Sequence, residues 1–503
     1  MPPDFKLIKT EERIMNSELS GLKLHLSRKA GCLGGTVQEF SSASQFGRKA
    51  FLVLGIIFLI AYFFWPAFSW SYFASSSPSQ ASPAQFRPKQ AKKEKGPEVS
   101  LYRLNIGQPE ELRGQEITVK AGRVYNLRTG KESSWADMLA DLGRVRYIYV
   151  GETHTSLPMH LVQARVIEEL VKKGYPVSVG LEMLPTTIQE VLTRWQWGIL
   201  TEREFLQEST WYDNWSYNFG YYRPILKLIK DYQLPFYGLN VPRAWITQVR
   251  LKGRDSLTAE QKKYIPPLDL GLQEHRLLIR AMFTAAGVSP GMKAAAEKVF
   301  EGFYRAQVAW DETMAYQAWL ALQKEALRPR RLLGEASIPE KKASSAVAKG
   351  GTNKLAKLVV LAGSGHLLYK LGLNYRLNRR APAPARTIIC VEVPSQKGEV
   401  VVARTLADYV IGLIEEEKEA FPTIGLSLKK VKGLSNLVVS RSPLMGVAKK
   451  AGLKKGDIIL EVDGQCFQST HELYHYLSQK KYGDEVTMVI LREGERLVVT
   501  LKY

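Results

Sequence analysis

From residue 145 to residue 393 the chain repeats one pattern, a short and nearly unbroken apolar run followed by a stretch with helical spacing. VRYIYV at Val145–Val150, VSVGL within Val177–Met183, PFYGL at Pro235–Leu239, LVVLA at Leu358–Ala362 and the segment Thr387–Val393 are such runs. A strand buried on both faces loses the in–out alternation of a half-exposed strand and reads as a continuous apolar run. Between the runs, Leu161, Ala164, Ile167 and Val171 carry helical periodicity, as do Ile225, Leu226, Leu228, Ile229 and Tyr232. Helical segments fill roughly 255 to 323, and Phe303 to Gln323 reads as a single helix. The pattern predicts an α/β fold, a mostly parallel sheet with helices on both faces and an inserted helical region.

The polar residues that close the runs carry the functional argument, because ligands of an open parallel sheet bind outside the carboxyl ends of its strands. VRYIYV closes in Gly151-Glu152-Thr153-His154, VSVGL in Glu182, PFYGL in Asn240 with Arg243 three residues on, and LVVLA in Gly363-Ser364-Gly365-His366. Two neutral imidazoles and a carboxylate form a three-ligand set for a divalent metal with an open position, which makes His154, His366 and Glu182 candidate metal ligands. Glu152 and Glu182 are the candidate catalytic bases. Arg243 can neutralise a carboxylate of a substrate or cofactor, or serve as a structural partner of Glu182 or Glu152. Asp311 shares a helix face with Gln307 and Met314, an acid on an otherwise uncharged stripe. His160 either faces the same cleft or is solvated, and His275, on a polar helix face, reads as a residue without a special role.

Ala50 to Ala74 holds no charged residue, and Tyr62, Trp65, Trp70 and Tyr72 gather at its far end. Its length and aromatic belt suit a transmembrane helix. Arg48 and Lys49 before it place the N-terminus in the cytoplasm. The expected order is a cytoplasmic tail at 1–48, an uncleaved anchor at 49–74 and a flexible stalk at 75–98. A globular domain at 99–405 follows, carrying a flexible insertion at 328–354. The implied location is the bacterial inner membrane, crossed once, with the bulk of the chain outside the cytoplasm. The formal charge of +21 sits largely in these tails and loops, so nucleic acid is not the expected partner. Three cysteines exclude a disulfide scaffold or a Cys-rich zinc module.

The motifs GETHTSLPMH, LEML, LNVPR, AQVAWDETMA and VLAGSGH together resemble the ChaN-like haem-binding uptake family over residues 120–405. That family is similar to Tiki and TraB proteins, some of which resemble metal-dependent peptidases built on two G-x-x-H motifs and a Glu. The resemblance implies bound haem, with Tyr222 as axial ligand and His154, Arg243, Asn240 and Asp311 around the cofactor, and it allows a homodimer. The alternative it implies is a single divalent metal ion and hydrolysis of a peptide or ester bond. Residues 421–503 resemble a bacterial PDZ domain, through Thr423-Ile424-Gly425-Leu426 and the run from Ala448 to Gly464, AKKAGLKKGDIILEVDG. This second resemblance implies a small β-rich domain at 406–503, entered by a short linker helix. It implies that Ile424, Gly425 and Leu426 capture a peptide C-terminus beside a helix at Thr470–Lys480.

Overall fold

The computed structural model describes residues 101–285, 293–326 and 354–503. The tail, anchor and stalk expected at 1–98 lie outside the described residues, as does the insertion at 328–354 up to its last residue, Lys354. No helix among the described residues is long and apolar enough to cross a membrane. The chain divides after Ala420 into a larger unit and a smaller one, Phe421–Tyr503.

Among its described residues the larger unit holds ten strands. They are β1 (Glu116–Lys120), β2 (Val124–Asn126), β3 (Lys131–Ser133), β4 (Tyr147–Glu152), β5 (Val177–Pro185), β6 (Phe236–Asn240), β7 (Lys357–Gly363), β8 (Ala385–Val393), β9 (Glu399–Ala403) and β10 (Tyr409–Ile414). Eight of these form one sheet in the order β3-β2-β10-β8-β4-β7-β5-β6, and β1 pairs with β9 separately. From β10 to β6 every pairing is parallel, while β2 and β3 add an antiparallel edge. The apolar runs sit at the centre: Val150, Val179, Val360, Leu361 and Ile388 are wholly buried. Burying each such side chain stabilises by about 1.5–3 kcal/mol, which is why these runs tolerate so few polar residues before their ends. The strand β7 enters between β4 and β5, and its register pairs Glu152 with Gly363. The glutamate of the first G-x-x-H turn and the glycine of the second are therefore neighbours.

Four helices complete the site, one of them Gln273–Ala285, which carries His275. The first, α1 (Leu157–Lys172), starts with a proline in its first turn, where a missing N–H costs nothing. Its buried stripe contains His160, Gln163, Ile167 and Val171, so the spacing turns His160 towards the sheet. The side-chain amide of Gln163 donates to the Val150 carbonyl at 2.9 Å and fixes that face. The second, α2 (Lys293–Ala326), buries Gln307, Asp311 and Met314, the stripe read from the sequence. It packs against β6 and against α3 (Leu373–Arg380).

Residues 409–414 correct the expected domain boundary. YVIGLI forms β10 and pairs in parallel with β8, Tyr409 opposite Ile388. This segment is therefore not a linker helix of the second domain. A β-branched apolar run gains more by completing the sheet than by forming an isolated helix.

The smaller unit is an antiparallel sheet of β11 (Leu428–Lys430), β12 (Leu437–Val439), β13 (Ile458–Val462), β14 (Glu485–Arg492) and β15 (Glu495–Lys502), in that order. Helices α4 (Gly446–Lys450) and α5 (Thr470–Ser478) accompany it. Leu437, Val439, Leu473, Leu477, Val486 and Met488 form its own core. Among the described residues β11 is an edge strand.

Candidate functional site

The carboxyl ends of β4, β5 and β7 bring Glu152, His154, Glu182 and His366 together, as the strand-end reading expects. Glu152 Oε1 lies 2.5 Å from His154 Nδ1, and Glu152 Oε2 lies 3.7 Å from His160 Nε2. The other ring nitrogen of His160, Nδ1, sits 2.7 Å from the Ser156 carbonyl, so it is the protonated one. Glu182 Oε2 accepts from the Gly363 backbone N–H at 2.7 Å, and its Oε1 lies 3.3 Å from His366 Nε2. A β-carbon on Gly363 would stand 2.7 Å from His154 Cε1, so the ring of the first turn rests on the bare backbone of the second.

Behind His366 the network continues inward. His366 Nδ1 meets Asp311 Oδ1 at 2.7 Å, and Asp311 Oδ2 meets His275 Nε2 at 3.1 Å. Arg376 approaches His275 Nδ1 at 3.3 Å, Asp311 at 3.7 Å and Glu312 at 3.2 Å. All these groups are buried. Burial opposes a charge on His366, but the carboxylates of Glu182 and Asp311 outweigh it and push its pKa up to about 10. Burial works against ionised Asp311 and Glu182 too, yet the His366 charge holds both below the usual carboxylate range. His154 is raised because Glu152 overcomes its burial. In His160 and His275 burial prevails and lowers the pKa.

The sign of the His366 shift gives a testable pH dependence. Its folded value lies above the ordinary value of about 6.5, so its contribution to stability is complete below pH ~6.5 and is lost as pH rises through about 10. Urea midpoints of the wild-type protein should fall between pH 6.5 and 10, and those of His366→Gln should fall less over the same range.

Beside the cluster lies a narrow cleft lined by Met183, Pro185, Asn214, Trp215, Asn240, Val241, Arg243 and Trp310. Trp215 meets the His154 ring edge-on at 4.8 Å, and Trp310 approaches the His366 ring at 6.4 Å. The cleft is thus walled by two indoles, each touching one of the two G-x-x-H imidazoles. Asn240 straps the neighbouring strands, donating to the Glu182 carbonyl at 3.2 Å and accepting from Val241 N–H at 2.9 Å. Arg243 lines the same cleft. The His154 side chain is 15% exposed, against 5% for His366 and none for His160 or His275, so it is the imidazole nearest solvent.

Tyr222 lies deeper. Its ring stands edge-on to His160 at 4.4 Å and beside Trp211 at 5.3 Å. Burial, then the Glu152 charge, raises its phenol well above the ordinary value. The sequence leaves His160 open and gives no sign that His275 or Arg376 joins the cluster. The helical stripe of α1 was the available signal for His160. None existed for His275 and Arg376, which meet Asp311 from distant parts of the chain. Among the described residues no three His, Cys, Asp or Glu side chains are arranged to hold a metal ion. His154, His366 and Glu182 are close, but a protonated His366 spends both ring nitrogens on carboxylates.

In the smaller unit Gly425 has φ +71°, and a β-carbon there would stand 2.0 Å from the Met445 carbonyl oxygen. The carbonyls of Thr423 and Ile424 accept from Val447 N–H at 3.1 Å and Ala448 N–H at 3.0 Å, the first turn of α4. The loop carbonyls are thereby turned towards α4. The backbone N–H groups of Ile424, Gly425 and Leu426 donate to no group among the described residues. Three successive unspent N–H groups suit an anionic carboxylate.

Residues 138–332 match the family described as haem-binding uptake, Tiki superfamily, ChaN, and residues 422–503 match the PDZ domain family. The chain is 33% identical over 116 residues to the chloroplastic Protease Do-like 1 of Arabidopsis thaliana, covering 20% of this chain and 26% of that protein. It is 41% identical over 56 residues to a probable periplasmic serine endoprotease, DegP-like, of Halomonas elongata, covering 11% of this chain and 12% of that one. The chain therefore spans about a quarter or less of these curated relatives. Among solved structures, one titled "Cofacial heme binding to ChaN of Campylobacter jejuni" aligns with 58% of this chain and 98% of its own, at 16% identity and a TM-score of 0.41. The HtrA-type protease AlgW with decapeptide aligns with 16% of this chain and 28% of its own, at 24% identity and a TM-score of 0.16. Residues 138–332 thus form a ChaN-like domain, and residues 422–503 form a PDZ domain.

Proposed function

We propose that the chain is a single-pass protein of the bacterial inner membrane, with its bulk outside the cytoplasm. Its larger unit binds haem in the carboxyl-edge cleft, and its PDZ domain captures the free C-terminus of a partner protein. The observation that carries the haem reading is the pair of indoles, Trp215 on His154 and Trp310 on His366, walling a cleft that also holds Arg243. A guanidinium pairs with carboxylates such as propionates, and an imidazole is a common ligand of haem iron. Trp215, Trp310 and Met183 would contact the ring and Arg243 would hold a propionate. His154, the imidazole of the cluster nearest solvent, would hold the iron, with Tyr222 one layer deeper as the alternative. When bound, haem supplies an iron centre able to take ligands or electrons. Asn240 and Asp311 keep the strand ends and His366 in place. The charge-free segment 50–74 supports the anchor, and the unspent N–H groups at 424–426 support peptide capture.

A spectroscopic hemin titration tests the reading. The expected result is a saturable, stoichiometric Soret shift, with affinity at least about tenfold weaker in Arg243→Ala, since a charge-assisted hydrogen bond contributes about 1.5–3 kcal/mol. Loss of the ligand-specific spectrum in His154→Ala assigns the iron ligand to His154, and its loss only in Tyr222→Phe assigns it to Tyr222. A shift no larger than nonspecific adsorption refutes haem binding.

One observation favours a second reading, metal-dependent hydrolysis. Both G-x-x-H imidazoles rest Nδ1 on a carboxylate, Glu152 for His154 and Asp311 for His366. Metal-ligating histidines are commonly oriented this way. In that reading His366 would first give up its proton, and His154, His366 and Glu182 would then hold the ion with Glu152 as the nearby base. Stoichiometric zinc in the purified protein, lost in His154→Ala, would support it; a metal-free protein that gains no hydrolytic activity with added zinc would end it.

A further inference from the structure

The edge strand of the PDZ domain is already occupied by a side chain of its own helix. The Ser427 carbonyl accepts from Ser440 N–H at 2.8 Å, so Ser427 faces the β12 side. Backbone direction alternates along a strand, so Leu426 and Leu428 present their N–H and C=O groups to the open edge. Those are the groups an added strand would use. Here the Tyr474 hydroxyl, from α5, donates to the Leu426 carbonyl at 2.8 Å and accepts from the Leu428 N–H at 3.1 Å. One hydroxyl therefore fills an acceptor and a donor two residues apart, the pair an incoming antiparallel peptide would meet with its last N–H and with the carbonyl two residues earlier.

We propose that Tyr474 is a built-in competitor of the peptide: its hydroxyl stands in for the ligand backbone, and a C-terminal peptide docks only by displacing it. The proposal rests on the reading of Ile424–Leu426 as a carboxylate-capturing loop. The loop itself remains available, because its N–H groups at 424–426 make no bond within the described residues. A peptide therefore first meets the loop with its carboxylate and then exchanges with Tyr474 along the strand. Tyr474 sets affinity by what it must give up, and it discriminates against peptides whose last residues pair poorly with the strand.

The test compares the full-length protein with Tyr474→Phe, which keeps the ring and removes only the hydroxyl. The probe is a fluorescein-labelled pool of decapeptides ending in a free apolar residue, read by anisotropy. Amide hydrogen exchange of the Leu428 region, without peptide, is read in parallel. The expected result is faster exchange at Leu428 in Tyr474→Phe and peptide affinity about tenfold tighter than wild type, the scale of one or two recovered backbone hydrogen bonds. Unchanged exchange at Leu428 overturns the proposal, because the bond would then not exist. Equal or weaker peptide affinity in Tyr474→Phe also overturns it while leaving peptide capture standing. Binding of the pool by neither protein removes peptide capture and the proposal together.

Discussion

Asp311→Ala should lower the unfolding free energy of the larger unit by about 3–5 kcal/mol, the range for removing one partner of a buried ion pair. The carboxylate holds His366 through Oδ1 and His275 through Oδ2, with Arg376 close by. All four side chains are buried. Without Asp311, the His366 imidazolium loses the carboxylate on its Nδ1 and keeps Glu182 on its Nε2, and the Arg376 guanidinium must rely on Glu312 and backbone carbonyls. A buried charge short of a partner has no water to turn to. Asp311→Asn separates the charge from the cavity, since it keeps the volume. It should retain most of the loss, because the missing charge outweighs the small void left by Ala. Urea unfolding followed by tryptophan fluorescence measures both variants. A loss below about 1 kcal/mol in Asp311→Ala, the scale of an exposed pair, would contradict the network described here.

The second large effect is expected at Gly425. Gly425→Ala should weaken capture of a free peptide C-terminus about 100-fold, the equivalent of losing roughly two charge-assisted hydrogen bonds. Gly425 sits at φ +71°, where a β-carbon costs about 1–2 kcal/mol. That carbon would also lie 2.0 Å from the Met445 carbonyl oxygen, so the backbone must move. The movement breaks the alignment that Val447 and Ala448 impose on the Thr423 and Ile424 carbonyls. The three N–H groups of 424–426 then no longer point to one place. Peptide titration of wild type and Gly425→Ala, with circular dichroism confirming the fold of the variant, checks this. Retained affinity in a folded variant would place peptide capture elsewhere.

The fold was legible where the chemistry is one-dimensional. A strand buried on both faces must be apolar throughout, so VRYIYV and LVVLA announced themselves, and the polar residues that end them marked the edge where the buried cluster forms. The stripe of Gln307, Asp311 and Met314 was legible for a similar reason, since helical spacing alone puts them on one face. His275 and Arg376 were not. Each lies in a charged stretch that reads as a solvated helix, and only tertiary packing brings both to Asp311. The strand at 409–414 was missed because pairing with β8 decides its conformation. Tyr222 was chosen among many tyrosines on a family resemblance, and no sequence pattern reveals that it lies beneath the aromatic layer formed with Trp211 and His160. Tyr474 was equally hidden, because a hydroxyl bridging two backbone groups leaves no trace in composition or period.

The central claim, that haem sits against the two indoles at the carboxyl edge of the sheet, is tested most directly by diffraction at the iron absorption edge from crystals grown with hemin. The account predicts an anomalous iron peak in the cleft between Trp215 and Trp310, on the side of His154 and Arg243. An iron peak elsewhere on the larger unit, or none in crystals that hold hemin in solution-like stoichiometry, would contradict it.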